Sequence, residues 1–257
     1  MKTDAIKRGF LCSADPDPVE WVNSDSTAPV LLVCEHAGQA VPAALGDLGL
    51  PPGAIDGHIG WDIGAKVLAC ALAYRLDAPL VIQRYSRLVI DCNRPPDAPG
   101  SVPEVSDNVT IPANLDLTAE ARRVRRREVF DPLDHAIEQG FAKAPRRAAF
   151  SVHSYTPHLG GLARNWHAGF LSRRDSKTAQ IMLDHIVLHA PNLTLAVNQP
   201  YQIDDETDWF LPVHAEPRGI AHTLIEVRND LLTDPDGTAR WADLLAGAIT
   251  EILECQK

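Results

Sequence analysis

Four side chains that are far apart in the sequence are the best candidates for chemistry: His36, Asp62, His153 and Glu226. A zinc hydrolase needs three protein ligands with nitrogen or carboxylate donors, an open position for water, and a separate carboxylate that handles the proton. His36, Asp62 and His153 could supply the ligands, and Glu226 could move the proton. The chain lacks a local H-E-x-x-H motif, so on spacing alone a structural role for each histidine stays open.

Three of these residues follow short apolar runs that have the composition of buried β-strands. The first run is followed by Glu35, His36 and the pair Ala-Gly at 37–38. The second run is followed by His153, and the third by Glu226. The runs cover residues 30–34, 148–152 and 221–225. Because α/β folds keep their sites at the carboxyl ends of strands, we expect the three side chains to share one site.

The remaining pattern predicts helices alternating with short strands. Asp62 would be the N-cap or first-turn residue of a helix over 62–76, and capping is the alternative role for this aspartate. Thr118 would cap a long helix that ends near Lys143, and Pro132 should kink or split it. Further helices are predicted over 176–189 and 238–254, and further strands over 80–83, 87–91, 167–171 and 193–197. We expect an irregular lead-in over 1–28 and a single domain over 29–257, with the proline-rich stretch 95–112 as a surface excursion or lid.

Composition narrows the class of protein. The 257 residues carry a formal net charge of −10, which makes nucleic acid and anionic membrane surfaces poor partners. The arginines within 122–127 lie near Glu120 and Glu128, and they are expected to form a solvated helix face.

The five cysteines are odd in number and show no C-x-x-C spacing, as is typical of reduced thiols. Since no apolar run is long enough for a signal peptide or a membrane span, we expect a cytoplasmic protein.

Several motifs together resemble those of the N-formylglutamate amidohydrolase family, over residues 30–232. They are Cys-Glu-His-Ala-Gly at 34–38, Trp-Asp at 61–62, Ser-Arg-Leu-Val-Ile-Asp-Cys-Asn-Arg-Pro at 86–95, Val-His-Ser at 152–154, Ala-Arg-Asn-Trp-His at 163–167 and Leu-Ile-Glu-Val-Arg at 224–228. Their order is also similar to that of zinc-dependent exopeptidases and muramoyl amidases. By this resemblance His36, Asp62 and His153 match metal ligands, and Glu226 matches the general base.

The resemblance implies an α/β fold, a three-layer sandwich with a mixed, mostly parallel central sheet, which is phosphorylase/hydrolase-like as in zinc exopeptidases. It implies one divalent ion, zinc, and a small-molecule substrate, an N-formyl or N-acyl amino acid, with N-formyl-L-glutamate as the first candidate. A dicarboxylate substrate needs fixed cations. The motif residues expected to bind it are Arg87, Asn93, Arg94, Arg164 and Arg228. A salt bridge to Asp91, Asp208 or another carboxylate is the alternative role for each arginine.

Glu35 departs from the family pattern, because members that act in histidine breakdown tend to have proline at this position. The substrate therefore stays open. An amidase for other N-acyl amino acids or for a cell-wall amide would keep the same ligands without needing several arginines in one pocket. A non-catalytic binding protein on this scaffold would hold no stoichiometric zinc. A phosphoesterase is disfavoured, since it would usually need two close metals. The sequence indicates no oligomeric state.

Overall fold

A computed structural model describes residues 10–255, which form alternating strands and helices. The strands are β1 (Val19–Val22), β2 (Val30–Cys34), β3 (Leu80–Gln83), β4 (Val105–Ser106), β5 (Val109–Thr110), β6 (Ala148–Tyr155), β7 (His158–Leu159), β8 (Leu162–Ala163), β9 (Ala168–Leu171), β10 (Leu195–Val197) and β11 (Ala221–Arg228). The helices are α1 (Ala65–Arg75), α2 (Ala119–Arg125), α3 (Asp131–Lys143), α4 (Ser176–His189) and α5 (Pro235–Glu254). Two π-helical turns cover Arg126–Phe130 and Phe210–Ala215.

A seven-stranded mixed sheet in the order β1-β3-β2-β6-β11-β9-β10 forms the centre of the molecule. Strands β3, β2, β6 and β11 run parallel to one another. Strand β1 is antiparallel to β3, and β9 is antiparallel to β11 with β10 parallel to β9. The pairs β4–β5 and β7–β8 form small hairpins outside this sheet. The sheet is therefore mixed and mostly parallel, as predicted.

Helices cover both faces of the sheet. Alternate residues of β2 divide between two apolar cores, because successive side chains of a strand point to opposite faces. Leu32 packs in the core that contains α1, α4 and α5, and Leu31 packs in the core that contains α3. All five residues of β2 are buried, which explains why its sequence is a continuous apolar run. The three-layer α/β sandwich is confirmed.

Three predicted elements differ in the structure. Residues 19–22 of the expected irregular lead-in form β1, which pairs with β3, whereas residues 1–9 lie outside the described residues. The expected strand over 87–91 is a series of turns, stabilised where the Ser86 hydroxyl accepts a hydrogen bond from the Leu88 amide. Gly64, in a left-handed conformation, holds the cap position of α1, so Asp62 is free for another role.

The long helix is split before Pro132, as predicted: α2 begins after the Thr118 cap, and a π-helical turn separates it from α3. None of the helices in residues 10–255 combines the length and the apolar character needed to cross a membrane.

Candidate active site

The ends of three neighbouring strands bring the predicted site residues together. His153 on β6 lies opposite Glu226 on β11 in the parallel register of the two strands. His36 follows β2, the other neighbour of β6. The amide of Asp62 donates a hydrogen bond of 2.9 Å to the carbonyl of His36, which fixes the loop before α1 against the end of β2. His36, Asp62, His153 and Glu226 line one cavity.

Three of these residues form a buried cluster of potential metal ligands. One donor atom each from His36, Asp62 and His153 lies within 4.8 Å of the others. Oδ2 of Asp62 is 2.8 Å from Nδ1 of His153 and 3.6 Å from Nδ1 of His36. Nδ1 of His36 is buried and has no hydrogen-bond partner among residues 10–255. Two imidazoles and one carboxylate are a common donor set for zinc, so these residues fit a divalent ion.

The second nitrogen of each imidazole faces a carboxylate behind the cluster. Nε2 of His36 lies 2.6 Å from Oδ1 of Asp91. Nε2 of His153 lies 2.7 Å from the Ser151 hydroxyl and 3.2 Å from Oε2 of Glu35. Such partners fix the tautomer and the direction of a metal-binding histidine. Both rings are therefore held with Nδ1 directed toward Asp62.

Carboxylates around the two imidazoles favour a positive charge in the cluster. Although burial disfavours the charge of Asp62, the neighbouring His36 and His153 hold its carboxyl pKa below the ordinary value. Burial likewise opposes the charge of His153, but Asp62 and Glu35 raise its pKa well above the usual range. Each imidazole is thus surrounded by carboxylates that favour positive charge. A divalent ion would supply this positive charge and displace the protons from the imidazoles.

Glu226 has the properties of a proton-transfer group. Its side chain is buried, and its Oε2 has no hydrogen-bond partner within the part of the chain that the structure describes. Burial raises the pKa of Glu226 to about 7. A carboxyl group with a pKa near the working pH can both accept and return a proton.

The family model of the N-formylglutamate amidohydrolases matches residues 28–233. The chain belongs to this family. Members of the N-formylglutamate amidohydrolase family are hydrolases of amide bonds, and this chain is such a hydrolase, with a small molecule as its substrate. No curated protein matches the sequence.

Solved structures that are similar to this family member include two with TM-scores above 0.6. A gene product of Agrobacterium tumefaciens is 35% identical, with a TM-score of 0.90 and coverage of 96% of this chain and 98% of the other. An N-formylglutamate amidohydrolase from Ralstonia eutropha is 17% identical, with a TM-score of 0.66 and coverage of 93% and 98%. The second likeness shows a shared fold.

The predicted substrate-binding residues of this amidohydrolase have different surroundings. Arg87, Asn93, Arg94 and Arg164 line the cavity, whereas Arg228 lies outside it. Arg87 donates a hydrogen bond of 3.2 Å to Asp62 and lies 3.0 Å from Asp91. Nε of Arg94 is 3.3 Å from Asp91. The salt bridges that were the alternative role for Arg87 and Arg94 are therefore present.

Arg164 is the cavity arginine whose charge is not balanced by a carboxylate within the described residues. It is buried, and its guanidinium donates hydrogen bonds of 2.6 Å to the Tyr201 hydroxyl and 2.8 Å to the Thr156 carbonyl. Arg228 is paired with Asp230, and it donates a hydrogen bond of 3.3 Å to the carbonyl of Arg164. Arg228 therefore supports the position of Arg164 instead of lining the cavity.

Asn93 connects the cavity wall to the segment before the second π-helical turn. Its amide nitrogen lies 3.4 Å from Asp208, and its Oδ1 accepts hydrogen bonds of 3.3 Å from the amides of Trp209 and Phe210. Asn93 thus holds Asp208 at the cavity. The sequence interpretation named Asp208 only as a salt-bridge partner.

Tyr201 reaches the cavity because the chain crosses the sheet next to Glu226. Gly169 pairs with Glu226, and a Cβ atom on Gly169 would lie 1.5 Å from the carbonyl oxygen of Gln199. The absent side chain therefore lets the segment that carries Tyr201 pass directly over the sheet.

Glu35 and Asp91 are the site residues whose roles the sequence did not reveal. For Glu35, the available signal was its position directly before His36, where the sequence departs from the family pattern. Three further histidines lie outside the cavity: His167, His214 and His222.

Proposed function

We propose that the protein is a zinc-dependent amidohydrolase that cleaves the amide bond of an N-formyl or N-acyl amino acid, with N-formyl-L-glutamate as the first candidate. The main support is the buried Nδ1 of His36, which lacks a partner among residues 10–255 although it faces Asp62 and His153. His36, Asp62 and His153 would hold the ion, and Glu226 would act as the general base.

The chemistry follows from the positions of these groups. A divalent ion bound there supplies Lewis-acid chemistry, which acidifies water and polarises a carbonyl group. Glu226 accepts one proton from the attacking water, whose oxygen forms a bond to the acyl carbon. As the carbon–nitrogen bond breaks, Glu226 returns its proton to the departing nitrogen. The products are a carboxylic acid, formate in the case of an N-formyl substrate, and the free amino acid.

Arg164 is the residue best suited to hold the substrate. Every N-acyl amino acid carries an α-carboxylate, and a guanidinium group binds a carboxylate through two parallel hydrogen bonds. The Arg164 guanidinium lies over the rings of Tyr155 and Tyr201, at 5.0 and 5.6 Å from the ring centroids. This packing and the hydrogen bond to Tyr201 hold its position before substrate arrives.

The test combines metal analysis with an assay of formate release. The purified protein should contain one zinc ion per chain and release formate from N-formyl-L-glutamate, and removal of the metal by a chelator should stop the reaction. H36N should lose the metal. H222N is the matched control, because His222 is equally buried but lies at the amino end of β11, on the opposite edge of the sheet. Activity that persists without any metal would contradict the proposal.

A further inference from the structure

The cavity above the candidate metal centre is larger than N-formyl-L-glutamate requires. Its volume is about 740 Å³, in the range of cavities that enclose drug-sized ligands. N-formyl-L-glutamate has about twelve non-hydrogen atoms. Even at roughly 30 Å³ for each, the share of a water molecule in the liquid, these atoms fill about 360 Å³. The cavity is therefore about twice as large as this substrate.

The carboxylate anchor lies on one side of the centre. The carbonyl of Arg164 accepts a hydrogen bond from Arg228 at the end of β11, and its guanidinium contacts Tyr201, which follows β10. Strands β11 and β10 are on the same side of β6 in the sheet. A carboxylate bound at Arg164 therefore places the amino-acid half of the substrate on the β11 side of His153.

A second wall comes from a different part of the chain. It is formed largely by the segment that follows β3, and β3 lies on the far side of β2 from β6. Pro103 and Val105 give this wall apolar surface. His58 and Asp107 form a polar pair on it, with 3.0 Å between Nε2 and Oδ2. A formyl group held at the metal centre carries only a hydrogen atom on its carbonyl carbon. Such a group would not contact this wall.

We propose that the preferred substrates are N-acyl amino acids whose acyl group is several atoms long and lies against Pro103 and Val105. This inference rests on the proposed amidase function, and it assigns the β3 side of the cavity to the acyl group. The amide carbon stays at the metal centre, the α-carboxylate stays at Arg164, and the bond that is cleaved is the same.

The test is a series of substrates that differ only in the acyl group: formyl, acetyl, butanoyl and hexanoyl derivatives of L-glutamate and of L-leucine. Release of the amino acid is measured for each with the zinc-loaded protein. Each methylene group that becomes buried against the wall should raise kcat/KM about fourfold. The rise should level off when the acyl chain reaches the His58–Asp107 pair.

Two tryptophan variants locate the effect. Ser106 lines the cavity, so S106W should lower the ratio of butanoyl to formyl kcat/KM by about tenfold or more. Leu188 is exposed on α4 and does not line the cavity, so L188W should leave this ratio unchanged. This control shows the effect of an added tryptophan outside the cavity.

The outcomes separate the inference from the function on which it rests. If kcat/KM is highest for the formyl substrates and falls with chain length, the acyl site is wrong while the amidase function stands. Equal ratios in S106W and L188W would also contradict the acyl site. If the zinc-loaded protein hydrolyses none of the substrates, the amidase proposal itself fails.

Discussion

Oε2 of Glu35 lies 3.2 Å from Nε2 of His153, in a fully buried part of the site. The same oxygen accepts a hydrogen bond of 2.7 Å from Ser151. Although burial opposes its charge, the contact with His153 lowers the pKa of Glu35 below its ordinary value. Glu35 therefore contacts Nε2 of His153 as Asp91 contacts Nε2 of His36, and each acid fixes the direction of one imidazole.

The first prediction concerns this carboxylate. E35Q keeps the shape of the side chain but removes the charge that favours Nδ1 of His153 as a ligand. Loss of such a partner typically weakens metal binding about 10- to 100-fold. Competition with a chromophoric chelator measures the zinc affinity directly, and the cobalt spectrum reports the ligand geometry. Wild-type affinity in E35Q would show that Glu35 does not support His153.

A second prediction separates metal binding from proton transfer. E226Q should retain the ion, because Glu226 lies outside the cluster of His36, Asp62 and His153. Its kcat should fall by about 10²- to 10⁴-fold, the usual contribution of a general base. Metal content by elemental analysis and the melting temperature should match those of the wild type. An E226Q protein with near-normal kcat would exclude this residue as the base.

A third prediction concerns the substrate carboxylate. R164M removes both the charge and the hydrogen-bond donors, and its kcat/KM should fall about 10- to 100-fold, mainly through KM. Substrates whose α-carboxylate is replaced by an amide provide the control, because they cannot pair with Arg164. The wild type should discriminate strongly between acid and amide, and R164M should not. Equal discrimination by both proteins would place the carboxylate elsewhere.

A fourth prediction concerns the backbone next to Glu226. G169A forces a Cβ atom into the carbonyl of Gln199, so the segment that carries Tyr201 must move. We expect a loss of unfolding free energy of about 1–3 kcal/mol, as is typical of overpacking. G57A is the control, since a Cβ there makes only an ordinary contact of 3.4 Å. Urea unfolding curves of the two variants should differ clearly.

A fifth prediction is acid sensitivity at a cluster of residues outside the cavity. Both ring nitrogens of His214 face carboxylates, with Asp134 at 2.7 Å and Glu138 at 2.8 Å. Burial opposes the charge of each acid, but hydrogen bonds to His214 lower the pKa of both below their ordinary values. Their contribution to stability is therefore complete above about pH 5 and is lost as the pH falls through the lowered native pKa values.

The double variant D134N/E138Q tests this dependence. Its unfolding free energy should fall less than that of the wild type between about pH 5 and pH 3, because two of the titrating groups are gone. Urea unfolding at several pH values measures the slope. An identical slope in both proteins would show that these acids do not contribute.

The sequence predicted the strands that carry the candidate site residues better than it predicted the hydrogen-bond and salt-bridge partners of those residues. Each of β2, β6 and β11 is an apolar run that ends in a polar side chain, and such a local pattern is readable without coordinates. The helix predicted over 176–189 has those bounds in the structure. The salt bridges of Arg87 and Arg94 to Asp91 were open alternatives, because pairing depends on how turns fold and leaves no period in the sequence.

Arg125 shows the same limit. It lies in an arginine-rich stretch that was expected to be solvated, and this prediction is wrong for Arg125, which is 1% exposed. Its guanidinium donates hydrogen bonds to the Val89 carbonyl and to Asn114, and burial lowers its pKa to about 10. The Val89 carbonyl lies 36 residues before Arg125 in the sequence, so no local pattern reveals this acceptor.

Strand β11 is inserted between β6 and β9, although both precede it in the chain. During synthesis, the ribosome therefore releases the two halves of the sheet before the strand that joins them. Until β11 emerges, β9 and β10 have no partner in the first half, and Glu226 is missing from the nascent protein. A nascent chain that stops short of residue 221 would hold His36, Asp62 and His153 but could not complete the candidate site.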